Sequence, residues 1–189
     1  DAEEEGIMMI PQELNLVDEL TVAENLFLNQ LPGRRGILDK KELYSQSEKI
    51  LQEIGVDVSA TTKVKELGVA QKQMIVIGRA LWNKVKILIL DEPTSTLSNL
   101  ESEILFEKIE MLKNSGVTCF YISHRLEEIL AISDNITVMR DGKIITTEKT
   151  ENMNEQKIVS LMIGRDLANY YPVINRSPKD VQFSVNNFS

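Results

Sequence analysis

The chain has 189 residues, which at roughly 100–200 residues per domain leaves room for one domain and an attached piece. Hydrophobic residues make up 42% and charged residues 26%, the profile of a core-forming globular chain and not of global disorder. Lys plus Arg total 21 against 29 Asp plus Glu, a net charge of −8. That balance argues against autonomous binding to nucleic acid or anionic lipid, which relies on basic patches. Charges also interrupt every apolar run well before the ~20 residues that a membrane helix needs, so no direct membrane insertion is expected.

Ile7-Met8-Met9-Ile10 is a short apolar run of the kind that forms a buried strand, with Gln12 just beyond its C-terminal end. Thr21 through Leu28 reads as a helix in which Thr21 and Glu24 have capping-box spacing. After Pro32-Gly33 comes an amphipathic helix over about Asp39 to Ile54, and a third helix over about Val69 to Trp82. Ile87 to Leu90 is unbroken Ile and Leu, the pattern of a parallel strand covered on both faces, and it runs into Asp91-Glu92-Pro93. Ser98 and Glu101 form a second capping box, opening a long helix that stops near Ser115-Gly116. Val117 to Ile122 is another apolar strand, followed by Ser123-His124 and a short helix over about Leu126 to Ile132. Ile136–Met139 and Lys143–Thr147, joined by Asp141-Gly142, predict a hairpin. A last helix spans about Glu155 to Met162 and ends at Gly164. From Arg165 the chain reads as a linker through Tyr170-Tyr171-Pro172 and Ser177-Pro178. The alternating run Val181–Val185 then predicts a strand with no partner among the remaining residues.

Strands alternating with helices predict an α/β fold with a largely parallel sheet, in which ligands bind beyond the carboxyl ends of the strands. Gln12, Asp91, Glu92 and His124 all follow a predicted strand. Two carboxylates at one strand end suit a nucleotide hydrolase: the first holds Mg²⁺, the second orients or deprotonates the water that attacks a γ-phosphate. They equally suit the solvated end of a strand. His124, the sole histidine, excludes a multi-histidine metal site. It fits either a donor to phosphate oxygen or a hydrogen-bonded structural residue. Gln12 fits a contact to Mg²⁺ or water, or plain solvation. Leu67-Gly68-Val69-Ala70-Gln71 precedes a helix, and free N–H groups there can cradle a phosphate, although an ordinary loop-to-helix turn has the same composition. Cys119, the sole cysteine, excludes an intrachain disulfide and reads as a small buried hydrophobe in a reducing compartment.

Taken in order, these segments resemble the later half of an ABC-transporter ATPase domain. Ile10-Pro11-Gln12-Glu13 resembles the Q-loop, and Leu67-Gly68-Val69-Ala70-Gln71 stands in the place of the LSGGQ signature. Ile87 through Glu92 resembles Walker B with its catalytic glutamate, Ser95-Thr96-Leu97-Ser98 the D-loop, and Tyr121-Ile122-Ser123-His124 the H-loop. The phrases Gln12-Glu13-Leu14-Asn15-Leu16, Leu20 through Leu28, Ser123 through Ile129 and Met162-Ile163-Gly164-Arg165 are similar to those of ATPase subunits of bacterial monosaccharide importers of the ribose, galactose and xylose kind.

The resemblance implies a P-loop NTPase-like core with an inserted helical subdomain over about residues 13–82. It implies an ATPase domain over 1–165, and a linker with the first strand of a second such domain over 166–189. It implies ATP and Mg²⁺ as cofactors, with Glu92 and His124 catalytic and Asp91 and Gln12 at the metal. Leu67, Gly68, Val69, Ala70, Gln71, Ser95 and Leu97 would then lie at nucleotide. The implied partners are a second ATPase domain and membrane permease subunits, with a peripheral position on the cytoplasmic face of the cell membrane. Two departures accompany it. The sequence holds no G-x-x-x-x-G-K-[ST] loop, and it starts at Asp1 without Met, so a partial or processed chain that does not hydrolyse ATP alone is expected. In the signature, Gly68 replaces the family's serine and Val69-Ala70 replace its glycines. The competing expectations are a non-catalytic module that docks on a permease or partner ATPase domain, and a ribosome- or DNA-directed protein, against which the acidic balance argues.

Overall fold

The computed structural model describes residues 2, 4–28, 31–34 and 37–164. The expected linker and the strand Val181–Val185 lie outside the described residues. The chain divides into two compact units, Asp1–Ser133 and Asp134–Ser189.

The first unit is built on three parallel strands, β1 (Ile7–Ile10), β4 (Ile87–Asp91) and β5 (Thr118–Ile122), in the order β1-β4-β5. Their register aligns Met8, Leu88 and Cys119 in one row and Ile10, Leu90 and Tyr121 in another. Because side chains alternate along a strand, these rows share a face. Ile10, Leu88 and Leu90 on it are fully buried, in one core with residues of α3 (Val69–Trp82) and α4 (Asn99–Asn114). Met9, Ile89 and Phe120 form the row on the opposite face. Met9 is 51% and Phe120 56% exposed there. The unbroken apolar runs predict burial on both faces; among the described residues only one face is covered. Cys119, on the covered face, is half-buried, and its burial raises the thiol pKa above the ordinary value.

Among the described residues the stretch between β1 and β4 carries three α-helices. A two-strand ribbon, β2 (Gly33–Arg34) with β3 (Ile37–Leu38), and a 3₁₀ turn (Val64–Glu66) break it up. α1 (Val22–Leu26), α2 (Lys40–Ile54) and α3 share one core around Phe27, Leu43, Leu51, Ile54, Ile75 and Ile77. Gly78 lies where they approach most closely: a Cβ there would meet Ile50 Cγ2 at 2.9 Å and Leu26 and Ile54 methyls at 3.2 Å. The capping box at α1 forms as spaced, with the Glu24 carboxylate accepting from the Thr21 N–H and hydroxyl, both at 2.8 Å. Ser98 and Glu101 do the same at α4. Hydrogen bonds from Thr21 and Ser98, led by their backbone N–H groups, hold both carboxyls below the ordinary glutamate range. α5 (Leu126–Ile132) closes the unit.

In the second unit, β6 (Asn135–Arg140) and β7 (Lys143–Lys149) pair antiparallel through the expected Asp141-Gly142 turn, whose two residues both have positive φ as a type I′ turn requires. α6 (Glu155–Ile163) ends at Gly164, in the left-handed region at φ 76. A Cβ there would lie 2.0 Å from Arg140 Nη1, which itself donates to the Leu161 carbonyl at 3.1 Å.

Asn25, fully buried in α1, fixes the segment that follows Gln12. Its Oδ1 accepts from the Val17 N–H at 2.8 Å, and its Nδ2 donates to the carbonyls of Val17 and Thr21 at 3.0 Å. Asn25→Ala leaves the Val17 N–H without its acceptor, while the Val17 and Thr21 carbonyls keep only their backbone partners, the N–H groups of Leu20 and Asn25. The expected loss is about 1–3 kcal/mol, read as a lower urea midpoint with an unchanged m value; an unchanged midpoint would contradict it.

Candidate functional site

The parallel register delivers the expected groups to one edge of the sheet. Asp91 pairs in register with Ile122, so Glu92 and Ser123-His124 leave neighbouring strands together. Gln12 follows β1 on the other side of β4, two residues beyond the Ile10–Leu90 pair, and its side chain is exposed.

Glu92 and His124 meet directly: His124 Nδ1 lies 2.8 Å from Glu92 Oε2. Glu92 is 20% and His124 73% exposed, so one partner is anchored and the other faces solvent. No aligned hydrogen bond reaches Glu92 Oε2, so the two groups meet in proximity and not in a directed bond. Glu92 also adopts φ 49, a left-handed conformation that costs a non-glycine residue roughly 1–2 kcal/mol. Its N–H donates to the Ile122 carbonyl at 2.9 Å, extending the β4–β5 pairing by one bond and holding the turn. Ser95 N–H returns to the Glu92 carbonyl at 3.2 Å and Leu97 N–H to the Thr94 carbonyl at 3.1 Å, which fixes the tight turn that leads to α4. Ser95 is exposed and Leu97 half-buried.

Leu67-Gly68-Val69-Ala70-Gln71 forms the entry to α3, with Gly68 as N-cap at φ −69 and ψ 164. Gln71 Oε1 accepts from the Gly68 N–H at 3.0 Å. Leu67 is buried; Gly68 and Val69 face solvent. A Cβ at residue 68 would meet only Gln71 Oε1, at 3.8 Å, so a serine fits without strain. No hydrogen bond among the described residues joins Leu67–Gln71 to Glu92 or His124. Arg79, further along α3, donates through Nε to the Asn25 carbonyl at 3.1 Å and through Nη1 to that of Asn15 at 3.5 Å. α3 therefore carries the glycine turn at one end and braces the segment after Gln12 at the other.

Among the described residues no group of three or more His, Cys, Asp or Glu converges as a metal site. Asp91 and Gln12 together offer one carboxylate and one amide oxygen. That set suits Mg²⁺, which keeps several waters and takes substrate phosphates as ligands, and it would not make a closed protein cage.

The sequence did not single out the group beneath this edge. Glu128 on α5, only 6% exposed, binds Thr94, Tyr121 and Ser123 and is ion-paired to Arg125. Glu127 and Glu128 look alike as a solvated pair, and only helix phase separates the exposed one from the buried one.

A parallel α/β sheet that presents Gln, Asp-Glu and His at adjacent strand ends, with a glycine turn opening a helix, defines an ATP-binding-cassette fold. A nucleotide-free ATP-binding cassette from an ABC transporter superposes with a TM-score of 0.68 at 27% identity, covering 85% of this chain and 66% of that one. The family model described as ABC transporter matches residues 1–95. The chain belongs to the ABC transporter family. Its relatives include the xylose import ATP-binding protein XylG of Moorella thermoacetica, 48% identical over the whole chain. The galactose/methyl galactoside import ATP-binding protein MglA of Clostridium perfringens is 42% identical over 97% of it. The chain spans 38% and 36% of the lengths of these two proteins.

The left-handed backbone at Glu92 can be tested apart from its carboxylate. Glu92→Gly and Glu92→Ala both remove the acid, but only glycine relieves the backbone. The glycine variant is expected to be more stable than the alanine variant by about 1 kcal/mol, measured by urea denaturation; equal stabilities would show that the turn carries no strain.

Proposed function

We propose that this chain forms part of the ATP-hydrolysing subunit of an ABC importer that drives sugar uptake. The observation that carries the reading is the Glu92–His124 contact at the ends of adjacent parallel strands. In this reading Asp91 holds Mg²⁺, with Gln12 reaching the metal or its water. Glu92 polarises the attacking water, and the exposed imidazole of His124, kept in place by Glu92, donates toward the γ-phosphate. The N–H groups of Leu67–Gln71 at the start of α3, with Ser95 and Leu97 in the turn after Glu92, face nucleotide held by a second ATPase domain. The phosphate-wrapping loop and its lysine are supplied by sequence outside these 189 residues. The relatives' greater length supports that arrangement, as does the uncovered face of the sheet at Met9 and Phe120. Residues 1–165 belong to one ATPase domain, and 166–189 lead into a second.

The helical segment of about residues 13–82 is the part that engages the permease, on the cytoplasmic face of the membrane. Among the described residues no helix is long and apolar enough to cross a membrane. The relatives named for xylose and galactose import support a sugar as cargo. Closure of two such domains on ATP then moves the membrane partner.

Two experiments test the reading in a subunit that joins these residues to a P-loop segment. Glu92→Gln should lower steady-state ATP hydrolysis by about 10²–10⁴-fold, the usual worth of a general base, while equilibrium ATP binding changes by less than about twofold. Retained hydrolysis would remove Glu92 from the reaction. Gly68→Ser restores a hydroxyl at the α3 entry, where a charge-assisted hydrogen bond to phosphate is worth about 1.5–3 kcal/mol. ATP turnover should rise, and an unchanged rate would show that the entry to α3 does not face nucleotide.

A further inference from the structure

Glu128 is the most deeply buried carboxylate described in the chain, and the side chains it binds come from the turn after β4 and from the end of β5 with the residues that follow it, the two segments that meet in the Glu92–His124 contact. Its Oε2 accepts from Thr94 Oγ1 at 2.7 Å, from the Tyr121 hydroxyl at 2.7 Å and from Ser123 Oγ at 3.4 Å. Its Oε1 faces Arg125 Nη1 at 2.5 Å. Thr94 Oγ1 and the Tyr121 hydroxyl are themselves 3.4 Å apart, and Ser123 Oγ accepts from the Arg125 N–H at 3.0 Å. Thr94 stands two residues after Glu92, while Ser123 and Arg125 flank His124 on either side. A buried carboxylate is stable only when countercharge and donors surround it, and removing a donor exposes the full cost of its desolvation. Here the donors come from the turn after β4 and from the end of β5, so neither segment can move away from the other without stripping donors from the charge.

We propose that Glu128 is a positioning residue: one carboxylate oxygen, shared between Thr94 and Tyr121, fastens the turn that carries Glu92 to the strand end that carries His124 and so holds those two groups opposed. The catalytic consequence rests on the ATPase reading above; the mechanical linkage does not. The rest of the network is consistent. Burial raises the Tyr121 pKa, which keeps the hydroxyl a donor. Pro93 is buried next to Thr94, and Phe106 of α4 lies edge-on to the Tyr121 ring, 6.1 Å between centroids.

Hydrogen exchange reads the linkage independently of any activity. In the longer subunit, Glu128→Ala is expected to speed exchange by about tenfold or more in peptides covering both 92–97 and 122–126, with α2 and α3 unchanged as a control for folding. Glu128→Gln, which keeps an acceptor oxygen, should recover most of the protection. Should Glu128→Ala not fold, the double variant Thr94→Val with Tyr121→Phe removes the two donors and should show the same paired increase. Exchange that rises in one loop only, or in neither, overturns the proposal. Kinetics then test the consequence. Glu128→Ala should lower kcat by about tenfold with ATP affinity within about twofold of the parent, and should add little further loss in a His124→Ala background, because both changes act on one contact. Full additivity overturns the assignment to His124. A parent subunit with no turnover refutes the ATPase reading, and the exchange experiment still decides the linkage.

Discussion

The register of three parallel strands is the constraint on which the site depends. Once Leu90 is opposite Ile10 on one side and Tyr121 on the other, Gln12, Asp91-Glu92 and Ser123-His124 must leave the sheet at the same edge. A slip of one residue would reverse every side chain on the slipped strand. It would move Leu88 and Leu90 out of the core, and it would separate Glu92 from His124. The register of the polar edge is therefore enforced from below by fully buried apolar residues. Ile10, Leu88 and Leu90 contribute on the order of 1.5–3 kcal/mol each by burial and set the position of groups they never touch.

The same sheet shows how far local sequence can specify an environment. Ile7–Ile10, Val69–Trp82 and Leu126–Ile132 form with the limits expected from apolar pattern and caps. Both Ser/Thr–Glu pairs at three-residue spacing form capping boxes, because those signals are written within one turn of chain. The Asp141-Gly142 hairpin was legible for the same reason. The β2–β3 ribbon was not, since Gly33–Arg34 and Ile37–Leu38 are too short to carry a period of two. Nor was one-sided burial: Ile87-Leu88-Ile89-Leu90 is as apolar on the face shared with Met9 and Phe120 as on the face packed against helices. Composition records what a strand can bury. What covers it is a long-range fact, and among the described residues the face of Met9 and Phe120 stays exposed.

The candidate site divides along the same line. Gln12, Asp91, Glu92 and His124 were legible because each is a polar residue at the end of an apolar run, and strand ends are where such sheets bind ligands. Their supporting residues carry no such mark. Asn25 sits in a capping motif and looks like a surface amide, yet it closes three hydrogen bonds to backbone in the interior. Thr94 and Tyr121 read as part of a turn and of a strand. Their partnership through Glu128 spans 34 and 7 residues of sequence and exists only after β4, β5 and α5 have come together.

This layering bears on how a strained residue is kept in place. Glu92 occupies a backbone region that disfavours its own side chain, and its one backbone tie to β5 is the bond from its N–H to Ile122. A single hydrogen bond contributes about 0.5–1.5 kcal/mol net, no more than the strain it opposes. The turn needs a second anchorage, and Thr94 provides it by placing a buried hydroxyl on Glu128. That anchorage reaches into the same carboxylate that Tyr121 and Ser123 use. The force that holds Glu92 in its unfavourable conformation is thus also the force that holds His124 beside it. A site assembled this way keeps the Glu92 carboxylate and the His124 imidazole in register through anchorage that neither side chain supplies itself.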